Sequence, residues 1–355
     1  MVKISTYSEQ MKNEQTIKLR KILNGLPPFL SEYFRGIAET KSANTRYVYS
    51  LDLRLFFTYL IENKKSFGPK GVLGLEVQDL DLITVEDIEA YIEYLTYYTK
   101  TNRFGAKQGF TNASSGKGRK LAAIKNMYRY FYRKQKIKHN PAELVDMPKI
   151  NEKNITVLEK SEVSRLISEV ETGVNLTKDE KRYFNHVKHR DLAIIALLLG
   201  TGIRVSECAG INKADIDFNA RAIKITRKGG DESVIYYTQE VAEILGQYNM
   251  LRDKVEPLKG HEGAFFLSIQ NRRITTRAIQ NLVKKYTRGL SFYKNISPHK
   301  FRSTFGTNLY KETGDIYLVA DILGHKDINT TKKHYARMDE ERRKSAADFV
   351  KLRGG

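Results

Sequence analysis

The chain has 355 residues, with 61 Lys and Arg against 41 Asp and Glu, and therefore a formal net charge of +20. A hydrophobic content of 41% excludes a disordered chain, and the length is typical of two domains. The single cysteine, Cys208, excludes an internal disulfide and a cysteine-based zinc cluster.

The chain carries no obvious membrane or export signal. Its longest apolar run, Leu192 to Leu199, is much shorter than the roughly 20 residues that span a bilayer. The first residues lack the apolar core of a signal peptide. We therefore expect a soluble, cytoplasmic protein without membrane contact, and the positive charge favours nucleic acid as its partner.

The N-terminal half shows helical periodicity. Residues 1–24 have the composition of a polar helical arm, and apolar stripes at helical spacing continue through residues 25–148, which predicts an all-helical domain. Thr84 is placed to cap one of these helices. Prolines at 141 and 148 end the pattern, and a polar stretch follows, which predicts a linker over residues 149–158.

One interval of this half is strongly basic. No acidic residue occurs between Glu93 and Glu143, and the apolar spacing there predicts a helix from Ser115 to Lys134. We expect four of its cations to project from its polar faces, namely Lys117, Lys120, Lys125 and Arg129. A solvated helix surface would explain a mixed-sign charge run, but an interval without acids favours contact with a DNA or RNA backbone.

The second domain, residues 159–340, opens with helices and then changes character. Buried helices are predicted near 160–170, 192–199 and 204–211. Strand-like segments follow at 216–218, 222–226 and 233–238, the last two joined by a glycine-containing turn. The chain then returns to helix, so the fold class is mainly α with a small three-stranded antiparallel sheet.

Several polar residues of this domain suggest a phosphate site. Arg204 and Glu207 lie directly after an apolar helix and a Gly turn, although an ordinary surface ion pair is an alternative. His299 and Arg302 share one face at the start of a predicted helix whose first position is Pro298, although a histidine that merely packs is the alternative for His299. A cationic pair at that end of a helix is unfavourable unless an anion binds there.

Three further residues complete the candidate set. Lys228 lies on the predicted hairpin turn, His325 follows a glycine that ends a helix, and Tyr335 lies on the next helix. Arginines, a lysine, histidines and a tyrosine suit phosphodiester chemistry without a metal ion, and no common metal or nucleotide motif occurs in the sequence. We therefore expect no cofactor. Cys208, with apolar neighbours, is expected to be a core residue.

The chain resembles the tyrosine recombinase (phage integrase) family, and within it the Xer recombinases, in particular the single-protein XerS-like type. The likeness rests on the Thr201–Glu207 segment with Arg204, on Lys228 in the hairpin, and on the H-x-x-R box of His299 and Arg302. It continues through the L-G-H box ending at His325 and through Tyr335. It covers about residues 156 to 340 and extends more loosely to a first core-binding helix at 44–60.

One departure concerns the tyrosine. Tyr335 lies ten residues after His325, whereas many family members have nine, and His334 occupies the ninth position. Tyr310, Tyr317 and Tyr293 are the nearest competitors, and none fits the motif. We therefore assign Tyr335 as the nucleophile.

The resemblance implies a role for each site residue. Tyr335 would attack the scissile phosphate and leave a 3′-phosphotyrosyl bond and a free 5′-hydroxyl. Arg204, oriented by Glu207, and Arg302 would bind the non-bridging oxygens. The remaining residues would move protons or bind phosphate: Lys228 would protonate the leaving oxygen, His299 would assist proton transfer from the tyrosine, and His325 would hydrogen-bond the phosphate.

The resemblance also implies an assembly. A SAM-like core-binding domain and a mixed α/β catalytic domain would form a C-shaped clamp around double-stranded DNA that carries an inverted-repeat core site. A homotetramer would join two such sites through a tail helix at 341–355 that docks on a neighbouring protomer, although packing of this helix within its own chain is the alternative. The resemblance also allows an accessory protein and implies a location on the nucleoid. The expected DNA-binding residues are Arg46, Lys117, Arg119, Lys120, Lys125 and Arg129.

Four functions remain open at this point. A Xer-like recombinase that resolves chromosome dimers is favoured, and an integrase, excisionase or invertase of a mobile element would use the same chemistry. A type IB topoisomerase would share the catalytic set but act as a monomer. A catalytically dead DNA-binding regulator is disfavoured because all six catalytic residues are present.

Overall fold

The computed structural model describes residues 7–101, 105–149, 156–227, 229–290 and 296–324. The chain divides into two compact units between Lys153 and Asn154, within the stretch predicted as a linker. The residues predicted at Lys228, Tyr293, His325, His334, Tyr335 and in the tail lie outside the described residues.

The first unit is built mainly from helices. They are α1 (Tyr7–Leu23), α2 (Leu30–Gly36), α3 (Ala43–Asn63), α4 (Val85–Tyr94), α5 (Ser114–Arg133) and the short α6 (Pro141–Leu144), with 3₁₀ turns at Gly68–Lys70, Val72–Gly74 and Val77–Leu82. Thr84 caps α4 as expected, since its hydroxyl accepts from the backbone N–H of Asp87. The N-terminal helix packs against α3 and buries Leu19, so it contributes to the core of this unit.

Aromatic side chains fill the centre of this unit. Phe56 and Tyr91 are fully buried with ring centroids 5.0 Å apart, and Phe131 of α5 packs beside Phe29. Phe29 also contacts Phe57 of α3, so these rings link α3 to both α4 and α5.

The expectation of helix throughout this half is wrong between α4 and α5. Two strands, β1 (Tyr97–Thr101) and β2 (Lys107–Thr111), pair as an antiparallel hairpin there. Tyr98 stacks on Phe110 with centroids 5.6 Å apart, and the ammonium group of Lys100 lies 5.5 Å from the Tyr98 ring. The stability of this hairpin comes from cross-strand contacts, which helical periodicity does not report.

The second unit surrounds a long central helix. Its elements are α7 (Lys160–Thr172), α8 (Lys178–Thr201), α9 (Val205–Gly210), β3 (Ile216–Asp217), β4 (Ala222–Thr226), β5 (Glu232–Tyr236), α10 (Gln239–Arg252), α11 (Thr276–Thr287), α12 (Pro298–Thr313) and α13 (Ile316–Leu323), with a 3₁₀ turn at Lys213–Asp215. The strands form one antiparallel sheet in the order β3-β4-β5. The predicted fold class, mainly α with this small sheet, is confirmed.

The central helix α8 is buried along its C-terminal half and packs against α7, α10 and α12. Its Asp191 is fully buried and accepts hydrogen bonds from Arg190, Lys285 and Tyr286, which joins α11 to it. No helix among the described ranges is long and apolar enough to cross a membrane.

Candidate active site

Arg204 lies at a turn that glycine makes possible. Helix α8 ends at Thr201, and Gly202 follows with a left-handed φ of 64°. Arg204 then takes the N-cap position of α9, where Glu207 accepts from its backbone N–H at 2.7 Å and from its Nη1 at 2.8 Å. The Glu207 side chain is only 2% exposed. A buried carboxylate that holds both the backbone and the guanidinium of Arg204 is not an ordinary surface ion pair.

Arg302 approaches the same place from α12. Pro298 occupies the first turn of this helix, His299 is exposed beside it, and Arg302 is buried one turn further on. The Nη1 of Arg302 donates to the carbonyl of Gly202 at 2.7 Å, and its Nη2 donates to the carbonyl of Leu323. The first arginine's turn and the second arginine's helix are therefore joined directly.

The C-terminal end of α13 is the meeting point of these groups. The helix ends at Leu323, and Gly324 has a left-handed φ of 61°. Its last carbonyls lack partners within the helix, and guanidinium groups take their place. Arg204 Nη2 donates to Gly324 at 3.1 Å, Arg302 donates to Leu323, and Arg227 Nη2 donates to the carbonyl of residue 322 at 2.6 Å.

Arg227 is the participant that sequence reasoning missed. Its side chain is 7% exposed, and its Nη1 also lies 3.4 Å from Glu207 Oε2. A signal was present, because strand β4 buries Ile223 and Ile225 and the alternation of a strand places residue 227 on the same inner side. A charged residue at an inward position calls for a partner.

The described part of the site is strongly positive. The carboxylate of Glu207 pairs with two guanidinium groups, those of Arg204 and Arg227, and a third guanidinium, that of Arg302, donates to the same end of α13. This excess of positive charge suits a phosphate group, because each guanidinium can donate two parallel hydrogen bonds to a pair of phosphate oxygens. No group of three His, Cys, Asp or Glu side chains in the described ranges is placed to hold a metal ion.

Lys228 and His325 are represented in the structure by the residues that precede them. Lys228 directly follows Arg227, and His325 directly follows Gly324, so each is adjacent in the chain to a described member of the cluster. Cys208 is fully buried, and burial together with the neighbouring Glu207 raises the pKa of its thiol. Its expected role as a core residue is confirmed.

The Gly202 turn leads to a stability prediction. A Cβ at Gly202 would lie 2.6 Å from Phe305 and 3.0 Å from Leu323, in addition to the left-handed φ. We expect Gly202→Ala to lower the free energy of unfolding by at least about 1–3 kcal/mol, the cost of a strained backbone alone. Gly260→Ala is the control, because Gly260 has a φ of 87° and open space around it. Denaturant titrations measure the free energy of unfolding of both variants. An equal loss of this free energy in the two would contradict a steric clash of the new Cβ with Phe305 and Leu323.

The candidate DNA-binding residues of the first unit lie in different environments. Arg46 lies in the first turn of α3, half-buried. Lys117 donates to Thr96 Oγ1 at 2.7 Å, and Arg119 pairs with the buried Asp52. Lys117 and Arg119 are therefore held by their neighbours in the fold, whereas the buried Nε of Arg46 has no hydrogen-bond partner among the described residues.

The expectation that Lys120 projects from α5 is wrong. Its side chain is buried, and its ammonium group donates to Asn112 Oδ1 at 2.7 Å. Burial lowers its pKa. Helical spacing predicted a polar face for Lys120. The segment between β2 and α5 instead supplies Asn112, which binds the ammonium group.

Two cations further along α5 approach α6. Arg129 forms an exposed ion pair with Glu143 at 3.1 Å, and Lys125 donates to the Glu143 carbonyl at 3.4 Å. The positively charged end of α5 is the N-terminal one, where Lys117 adds its charge to the helix dipole and the first turn has no acidic residue.

Comparison with known proteins gives one family. A model of the phage integrase family matches residues 156–342. Tyrosine recombinase XerS of Lactococcus lactis subsp. cremoris is 27% identical over 96% of this chain and 100% of its own length. Tyrosine recombinase XerC of Caldanaerobacter subterraneus subsp. tengcongensis is 29% identical over 91% of this chain and 86% of its own.

Solved structures show the same fold at lower identity. The XerH site-specific recombinase bound to a palindromic difH substrate has a TM-score of 0.63 at 18% identity, over 93% of this chain and 88% of its own. A lambda integrase dimer bound to a COC′ core site has a TM-score of 0.60 at 14% identity, over 86% of this chain and 94% of its own.

Proposed function

Because this chain belongs to the phage integrase family of tyrosine recombinases, we propose that it resolves chromosome dimers by Xer-like site-specific recombination. Enzymes of this family cut and rejoin DNA through a phosphotyrosine and need neither a metal ion nor ATP. The observation that supports the strand-cleavage chemistry in this proposal is the convergence of Arg204 and Arg302 on the end of α13, within the residues that the family model matches.

The two arginines would hold the scissile phosphate. Each guanidinium can donate two parallel hydrogen bonds to non-bridging oxygens, where negative charge grows in the transition state. Arg204 is fixed by Glu207 and Arg302 by two carbonyls, so little reorganisation is needed when the phosphate arrives. Preorganised donors of this kind supply much of the rate enhancement in phosphate chemistry.

Bond making and breaking would fall to the other residues. The Tyr335 oxygen attacks phosphorus, the bond to the 5′-oxygen breaks, and Lys228 supplies the proton that this oxygen needs in order to leave. His299 takes up the tyrosine proton, and His325 hydrogen-bonds the phosphate. Religation runs the same steps backwards from a new 5′-hydroxyl, and the phosphotyrosine conserves the bond energy.

The basic interval of the first unit would bind the DNA backbone. Lys117 lies near the N-terminal end of α5, Arg119 of the same helix pairs with Asp52 of α3, and Arg46 lies in the first turn of α3. Lys125 and Arg129 would contact DNA in competition with Glu143. Lys120, buried on Asn112, would act by holding the entry to α5 in place.

The backbone contacts have a measurable salt dependence. Each phosphate contact contributes about 0.9 to the slope of log affinity against log salt concentration. We expect Lys117→Gln to reduce that slope by about 1, and Lys12→Gln, on the exposed surface of α1, to leave it unchanged. Fluorescence anisotropy at several salt concentrations measures both slopes. Equal slopes for the two variants would remove Lys117 from the interface.

The chromosomal role is proposed over that of a mobile-element integrase. It is supported by relatives named tyrosine recombinase XerS that match over their full length. In this proposal four copies join two inverted-repeat core sites on nucleoid DNA in the cytoplasm. Sequencing the DNA that co-purifies with the protein distinguishes the roles, because recovery of element ends in place of one chromosomal site would favour the integrase.

A nicked suicide duplex tests the chemistry. The nick lets a short fragment diffuse away after cleavage, so the wild-type protein should accumulate a covalent adduct. Proteolysis and mass spectrometry should place the nucleotide on the peptide that contains Tyr335. An adduct on the peptide of Tyr310 or Tyr317 would reassign the nucleophile, and no adduct with any cognate site would favour a DNA-binding regulator.

A further inference from the structure

Arg227 adds further contacts between parts of the site that Arg204 and Arg302 already join. Its guanidinium donates to the carbonyl of Ile322 at 2.6 Å and lies 3.5 Å from that of Leu323. Arg302 donates to the same Leu323 carbonyl. The end of α13 is therefore bound by two arginines, one directly after β4 and one in α12.

The other side of Arg227 faces the first arginine. Glu207 directs Oε1 to Arg204 at 2.8 Å, and its Oε2 lies 3.4 Å from Arg227 Nη1. The carboxylate thus balances two cations, and its position depends on both. Removal of Arg227 would leave Arg204 and the buried Glu207 with one restraint fewer.

The packing at Gly324 indicates that Arg227 occupies a fitted position. A Cβ on Gly324 would lie 3.0 Å from both Cζ and Nε of Arg227. The arginine thus lies directly against the residue before His325, and it is itself the residue before Lys228. Anchoring Arg227 restrains the chain immediately before two of the proposed catalytic residues.

We propose that Arg227 is a positioning residue for strand cleavage, which couples the Arg204–Glu207 pair to the end of α13 and to Arg302. This inference rests on the proposed function, since it assumes that those arginines bind the scissile phosphate. Arg227 does not touch DNA in this proposal. Its loss should therefore slow cleavage without weakening DNA binding.

The kinetic test measures strand cleavage by two Arg227 variants. Arg227→Leu should lower the rate of adduct formation on the nicked duplex, at saturating protein, on the order of 10²-fold, as expected for a misplacement of about 1 Å. The Kd for the same DNA should stay near the wild-type value. Arg227→Lys, which retains the charge but not the fork of donors, should recover part of the rate.

Arg252→Leu is the matched control for folding. Arg252 is equally buried, and its guanidinium donates to the carbonyls of 255, 262 and 264, away from the site. Its loss should lower the melting temperature but keep the cleavage rate per folded molecule. A wild-type rate for Arg227→Leu, or an equal rate loss in Arg252→Leu, would overturn the proposal.

Amide hydrogen exchange tests the coupling by Arg227 independently of whether the protein cleaves DNA. In Arg227→Leu, the amides of 204–208 and 320–324 should exchange faster than in the wild type, whereas Arg252→Leu should leave both segments protected. If the wild-type protein forms no adduct, the proposed function fails while this measurement still decides whether Arg227 couples the segments. Unchanged exchange in both segments would refute the coupling.

Discussion

Tyr335→Phe should abolish the covalent adduct with nicked suicide DNA while binding of the same DNA is retained. The phenylalanine ring keeps the shape of the side chain but lacks the oxygen that would bond to phosphorus. Denaturing gel electrophoresis with labelled DNA measures the adduct, and anisotropy measures the binding. Because the proposal assigns the attacking oxygen to Tyr335, the expected loss is complete.

Tyr317→Phe is the control for this substitution. Tyr317 lies on α13 in the matched region and is 67% exposed, so loss of its hydroxyl should disturb neither the fold nor cleavage. Its adduct should form at the wild-type rate. An adduct formed by Tyr335→Phe would show that the shift from nine to ten residues after His325 reflects a different nucleophile.

Arg302→Lys should slow strand cleavage by about 10²–10³-fold, the usual cost of removing one transition-state donor. A lysine carries the same charge, but its ammonium group cannot hold the carbonyls of Gly202 and Leu323 and also present paired donors to the phosphate. The rate at saturating DNA should fall, and DNA affinity should change little.

The matched control for Arg302 is Arg252→Lys. Both arginines are buried and donate to carbonyl groups, so both substitutions impose a comparable folding cost. Only Arg302→Lys should lower the cleavage rate once the folded fraction, measured by circular dichroism, is taken into account. Similar rate losses in the two variants would mean that Arg302 supports the fold without acting on the phosphate.

Elements with a strong local pattern were predictable from the sequence. The basic helix was expected at Ser115–Lys134 and extends over Ser114–Arg133, because its apolar stripe repeats at helical spacing. The sheet of the second unit was expected for a similar reason, since alternating β-branched residues flank a turn with two glycines at positive φ. Such signals depend only on neighbouring residues.

What could not be predicted depends on contacts between distant segments. The β1–β2 hairpin is mostly exposed, so its strands show no inward and outward alternation, and it is stabilised by the pairing of Tyr98 with Phe110. The burial of Lys120 follows from its bond to Asn112. The position of Arg227 follows from a helix end almost a hundred residues later.

The burial of Cys208 allows site-specific fluorescent labelling of this chain through an introduced cysteine. The thiol is fully buried and its pKa is raised, so Cys208 of the folded protein should not react with a maleimide. Because it is the only cysteine in the sequence, a cysteine introduced at an exposed position such as Lys12 would carry a single dye on each copy of the chain. Energy transfer between dyes on different copies, mixed with DNA that carries core sites, would test the proposed joining of two sites while the native core stays intact.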